Sequence, residues 1–137
     1  MEISATVTSS TSAHDVCVRT GPTSQRLAVP AKAAGPGSSV NGGEFLMLAL
    51  ATCYCNDLYR EAARLGMVLD EVEVEASAEF NGIGLAAQNI RYRARVVSPA
   101  SDAEVQSLLE CTDAVAEVHN TLRAGARVER LEWTTDR

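Results

Sequence analysis

The chain has 137 residues and a mass of 14.6 kDa, the size of one ordinary domain. With 46% hydrophobic and 22% charged residues it has a globular composition, and 12 Lys plus Arg against 18 Asp plus Glu leaves a net charge of 12 − 18 = −6. That acidic balance argues against a nucleic-acid binder and against a binder of anionic membranes. The longest nearly uncharged apolar run, Phe45 to Cys55, falls well short of the ~20 residues that a spanning helix needs. The first residues, Met-Glu-Ile-Ser-Ala-Thr, carry neither a basic nor an apolar leader segment, so a cytoplasmic protein is expected. Aromatic residues are only 4% of the chain, so its core must rest on Leu, Val, Ala and Met. Completion of that core by a second subunit is expected.

Three short antiparallel strands are predicted first. Ile3 to Thr8 and Asp15 to Arg19 are β-branched and partly alternating, and Gln25 to Pro30 follows the Gly21-Pro22 punctuation. Ala31 to Gly43 is rich in Gly, Ser and Pro and reads as a loop. Glu44 to Leu65 then runs without Pro or Gly and is dominated by strong helix formers. Its first half, Phe45 to Ala51, is apolar on every face and should be buried on every face. Asn56, Asp57, Arg60, Glu61 and Arg64 give the second half a polar side. Gly66 fits the left-handed stop position of that helix.

Val72 to Phe80 alternates with period two, and Ile90 to Val96 alternates again after Asn81-Gly82, which together predict a hairpin with one wet face. Ser101 to Glu104 forms a capping box, and helical pattern continues from it to Gly125 with a break near Thr112-Asp113. Arg127 to Trp133 is predicted as a closing strand. The pattern as a whole is α+β.

Four cysteines are present, Cys17, Cys53, Cys55 and Cys111. A cytoplasmic setting disfavours structural disulfides. Cys53 and Cys55 point about 200° apart on a helix, and neither the cysteines nor the two histidines show a paired zinc spacing, so no metal or cofactor is expected. The plain reading of Cys17 and Cys55 is that of small buried hydrophobes, and that of His119 is a surface or capping histidine.

Three segments carry a family resemblance: Asn41-Gly42-Gly43-Glu44 leading into Leu-Ala-Leu-Ala-Thr-Cys53, the Arg-Leu-Gly-Met turn before Val-Glu-Val-Glu, and Val118-His119-Asn120-Thr121-Leu122-Arg123-Ala124-Gly125. Together these resemble the OsmC/Ohr family, from about Val16 to Trp133. The resemblance implies antiparallel sheets packed around a long central helix in an intertwined homodimer. It implies an oxidative-stress activity, the reduction of organic hydroperoxides or hydrogen peroxide by a peroxidatic cysteine that a dithiol reductant regenerates. Cys53 falls on the peroxidatic position. The family's Glu position falls on Gly43, with Glu44 beside it, and Arg19 is the nearest candidate for the family's Arg. Ala116 stands where a resolving cysteine belongs, so an external thiol is the expected reductant, with Cys111 earlier on the same helical segment. His119 lies one turn beyond Ala116 and is a candidate proton acceptor for Cys53. The competing expectation is a non-catalytic homodimer on the same fold that binds a small apolar ligand between its subunits.

Overall fold

A computed structural model of the chain describes residues 1–133. The chain divides into two compact units, Met1–Leu46 and the part from Met47 onward.

The first unit is a three-stranded antiparallel meander of β1 (Ile3–Ser9), β2 (His14–Thr20) and β3 (Thr23–Leu27), in the order β1-β2-β3. The turn between β1 and β2 is closed by Ser10, whose Oγ accepts from the Ser12 and Ala13 amides. Between β2 and β3, Thr20 pairs with Thr23, leaving a two-residue turn in which Gly21 takes φ 54°. Because so tight a turn resumes pairing at once, β3 begins at Thr23 and ends at Leu27, earlier at both ends than the predicted Gln25 to Pro30. Val16 is buried at the centre of β2, whereas β1 and β3 are exposed along their whole length. The predicted loop follows and is tied by one isolated bridge, Ala31 to Ser38.

The helix α1 spans Gly42–Leu65. Its start is a reciprocal cap: the Glu44 amide donates to Asn41 Oδ1 at 2.8 Å and the Asn41 amide to Glu44 Oε1 at 3.1 Å. Its end is a Schellman motif, with Gly66 at φ 69°, the Gly66 amide on the Ala63 carbonyl and the Met67 amide on that of Ala62. Within the single chain, Phe45, Leu46 and Met47 of its apolar first half are half-buried and Leu48 is 56% exposed.

In the second unit β4 (Glu71–Glu79) and β5 (Gln88–Val97) form an antiparallel hairpin, with an irregularity near Ser77–Glu79. The period-two pattern works as expected. Val72, Val74, Tyr92, Ala94 and Val96 turn to the core, while Glu73 pairs with Arg95 and Glu75 with Arg93 across the wet face. Phe80, assigned to the inner face, is exposed beyond the end of β4.

Ser101 caps α2 (Asp102–Val115) with the expected box, its Oγ accepting from the Glu104 amide at 3.2 Å. The helix passes the predicted break intact, with the buried Thr112 hydroxyl satisfied by donating to the Leu108 carbonyl at 2.7 Å. It breaks instead at Ala116, which leaves the helical region (φ −73°, ψ 105°) before α3 (Glu117–Arg123) starts. Tyr54, Leu58, Ala62, Leu108 and Ala116 form the buried core of this unit, and a residue as small as Ala fits the crowded junction. The closing strand predicted over Arg127 to Trp133 is not formed: residues 126–133 are irregular. Alternation alone cannot make a strand, which exists only within a ladder of backbone hydrogen bonds. Among the described residues no helix is long and apolar enough to cross a membrane.

Candidate functional site

Cys53 lies at the middle of α1, on the stripe that also carries Asp57 and Arg60 one and two turns later. This stripe faces the start of α3. The Cys53 Sγ is 3.6 Å from Asp57 Oδ2 and 3.8 Å from Glu117 Oε2, and the Val118 backbone amide also approaches it. Arg60 holds the other oxygen of each carboxylate, at 3.0 Å from Asp57 Oδ1 and 3.7 Å from Glu117 Oε1. Two carboxylates are thus shared between a thiol on one side and a guanidinium on the other. Asp57 is only 5% exposed, whereas Arg60 and Glu117 stand half or more in solvent.

The electrostatics follow from that arrangement. Burial pushes the Cys53 thiol above its ordinary pKa, the carboxylates of Asp57 and Glu117 push it further, and the Val118 amide opposes them in part. Burial and the neighbouring Glu117 also raise Asp57, while backbone and Arg60 contacts hold Glu117 below the usual carboxylate range. The resting thiol therefore keeps its proton, and the nearest group able to take it is a buried carboxylate whose own basicity is enhanced. The Cys53 thiol and the two carboxylates present ligand atoms within 4.8 Å of one another. On the other side Arg60 already balances part of the charge of both carboxylates.

The residues proposed from sequence are distributed differently. Arg19 sits on β2 and donates from Nε to the Gly21 carbonyl at 3.0 Å. Glu44 is engaged in the cap of α1. His119 is neither a surface nor a capping residue: it is 3% exposed and packs in an aromatic triangle, its ring centroid 4.5 Å from Tyr92 and 5.7 Å from Tyr54. Neither of its ring nitrogens has a hydrogen-bond partner among the described residues, so the Cys53 proton is not bonded to it. Ala116, at the resolving position, is fully buried, and Cys111 is exposed on α2. Cys17 and Cys55 are half-buried rather than buried.

Sequence reasoning missed Asp57, Arg60 and Glu117. The first two were legible in principle, as acid and base at i+4 and i+7 from a helical cysteine, but they were counted as part of a solvated face. Glu117 carries no local signal, being 64 residues away from Cys53 along the chain.

The sequence profile of the family described as OsmC-like protein matches residues 35–130. No curated protein matches the chain. Among solved structures, an OsmC-like protein from Mycoplasma pneumoniae is 17% identical and superposes with a TM-score of 0.62, covering 90% of this chain and 87% of that one. An organic hydroperoxide resistance protein from Elizabethkingia anophelis is 18% identical with a TM-score of 0.61, covering 91% and 90%. An OsmC-like protein from Vibrio cholerae is 14% identical with a TM-score of 0.62, covering 88% and 93%. These likenesses establish an α+β fold with antiparallel sheets, and with the profile match over most of its length the chain belongs to the OsmC-like protein family.

Proposed function

We propose that this chain is a one-cysteine thiol peroxidase, reducing organic hydroperoxides through Cys53 and regenerated by an external thiol, as a cytoplasmic homodimer. The observation that carries the reading is the placement of Asp57 Oδ2 3.6 Å from the Cys53 thiol. A thiol is a weak nucleophile at its free pKa and gains from an adjacent base. Asp57, made more basic by burial, takes the thiol proton as sulfur attacks the outer peroxide oxygen. The O–O bond breaks, the departing alkoxide receives that proton as an alcohol, and Cys53 becomes a sulfenic acid. A first external thiol condenses with the sulfenic acid, releasing water and leaving a mixed disulfide. A second thiol reopens it, returning Cys53 and one molecule of external disulfide. Asp57 is thus the acid–base partner of Cys53 in this reading. The Elizabethkingia relative, described as an organic hydroperoxide resistance protein, supports peroxide as the oxidant class.

Dimerisation is supported by apolar surface that the single chain leaves open: Ile3 and Val7 on β1 and Leu48 on α1 are all more than half exposed. Steady-state turnover of an organic hydroperoxide with a dithiol tests the whole reading. Wild type should turn over. Cys53→Ser should be inactive with its fold and dimer content unchanged, because an alcohol packs alike but is scarcely ionised near pH 7, and Cys55→Ser should stay close to wild type. Wild-type turnover no faster than that of Cys53→Ser would remove the peroxidase reading in favour of a non-catalytic binding dimer.

A further inference from the structure

The charges around the Cys53 sulfur are unevenly placed. Asp57 and Glu117 each turn one oxygen toward the sulfur, at 3.6 and 3.8 Å, and give the other to Arg60. The charges nearest the sulfur are therefore both negative, and two anions against one cation leave one negative charge in excess. Glu61, the next acid along the helix, adds no excess charge, since Arg64 pairs with it at 2.8 Å. The two carboxylates beside the sulfur differ in access. Asp57 is 5% exposed, whereas the Glu117 side chain is 68% exposed. A molecule that comes from solvent to the half-buried Cys53 thus meets Glu117 ahead of Asp57. Its own backbone amide above all holds the Glu117 carboxyl below the usual carboxylate range, so that charge is present at neutral pH. The chain's net charge of −6 adds a longer-range field of the same sign. When an external thiol attacks a disulfide held on Cys53, any charge it carries a few bonds from its own sulfur comes within reach of that carboxylate.

We propose that Glu117 is a specificity-determining residue for the regeneration of Cys53: its exposed carboxylate beside the sulfur favours reducing thiols that carry a positive charge and disfavours anionic ones. This rests on the reading of Cys53 as a thiol regenerated from outside.

The test needs no peroxide. In a Cys17→Ser, Cys55→Ser, Cys111→Ser background, Cys53 is converted to its methyl disulfide with methyl methanethiosulfonate, its thiolate attacking the methyl-bearing sulfur and expelling methanesulfinate. Release of Cys53 is then followed with cysteamine, 2-mercaptoethanol and 3-mercaptopropionate, which are cationic, uncharged and anionic. In each case the reagent thiolate attacks the methyl-bearing sulfur, Cys53 leaves as a thiolate and takes up a proton, and the reagent ends as its own methyl disulfide. Dividing each rate by that of the same reagent on the methyl disulfide of a short cysteine peptide cancels intrinsic nucleophilicity. At low ionic strength the corrected rate of cysteamine should exceed that of 3-mercaptopropionate about tenfold, with 2-mercaptoethanol between them, since one unit charge about 4 Å from another in water is worth about fivefold. The ratio should shrink to about twofold in about 1 M salt and likewise in Glu117→Gln, and it should invert in Glu117→Lys. Equal corrected rates, a faster anion, a preference unchanged in Glu117→Gln, or a Cys53 that the thiosulfonate does not modify would each overturn the proposal. Should a variant fail to fold, the order of the three reagents and its salt dependence decide it. The peroxidase reading fails by a different observation, the absence of hydroperoxide turnover, and these release rates still decide the role of Glu117.

Discussion

Replacing Asp57 by Asn removes one negative charge 3.6 Å from the Cys53 sulfur while keeping the side-chain shape. Two unit charges at that distance interact by about 1 kcal/mol at the dielectric of water and by about 4 kcal/mol at an effective dielectric near 20. The lower figure is the relevant one here. Arg60 and Glu117 leave one side of the cluster open to solvent, and Arg60, 3.0 Å from Asp57, already offsets part of the carboxylate's field. Since about 1.4 kcal/mol corresponds to one pKa unit, the thiol should fall by a little under one unit. The sign is downward because losing a neighbouring anion makes the thiolate easier to form. At neutral pH the thiolate fraction then rises about sixfold, and so should the rate of alkylation by iodoacetamide, measured in a Cys17→Ser, Cys55→Ser, Cys111→Ser background. Peroxide turnover should move the other way, falling about a hundredfold, because the group that accepts the thiol proton and returns it to the departing alkoxide is gone. Opposite movement of the two rates is the signature of a proton-transferring carboxylate. An alkylation midpoint that stays put or rises in Asp57→Asn, or a turnover that climbs together with alkylation, would refute the reasoning.

Sedimentation at micromolar concentration should give about twice the 14.6 kDa of one chain, and a well-folded monomer under those conditions would refute the dimer. Peroxide treatment without reductant should leave Cys53 as a sulfenic or over-oxidised acid, because Ala116 supplies no resolving thiol; a Cys53–Cys111 disulfide in the mass spectrum would restore a two-cysteine mechanism. Arg123, with help from the Tyr92 hydroxyl, holds the Asp113 carboxyl below the usual carboxylate range. The folded state therefore favours the ionised form, and this stabilisation is present above the unfolded pKa of about 3.9 and is lost as pH falls through the depressed folded value. Urea unfolding followed from pH 6 down to pH 2 should show that acid-side loss in wild type and a shallower one in Arg123→Ala; identical slopes would remove the pair from the account.

Much of the backbone was legible because its determinants are local. The Asn41–Glu44 cap, the Ser101–Glu104 box and the left-handed Gly66 each satisfy helix-end groups with residues no more than a few positions away. The period-two alternation of β4 and β5 needs only the pleat to separate Val72 and Val74 from Glu73 and Glu75. The family resemblance likewise rested on contiguous runs, and it pointed to Cys53. Residues whose surroundings come from a distant segment were read wrongly. Asp57 and Glu61 look like a solvated helix face, yet they are 5% and 8% exposed. His119 looks like a surface residue until Tyr54 and Tyr92 close on it, and Arg127 to Trp133 alternates like a strand but forms no ladder. The environment of the thiol was hidden for the same reason. Sequence spacing places Asp57 and Arg60 on the Cys53 stripe because helical geometry repeats every 3.6 residues or so, but only the packing of α3 against α1 brings in Glu117, a second negative charge beside a thiol that burial above all keeps protonated.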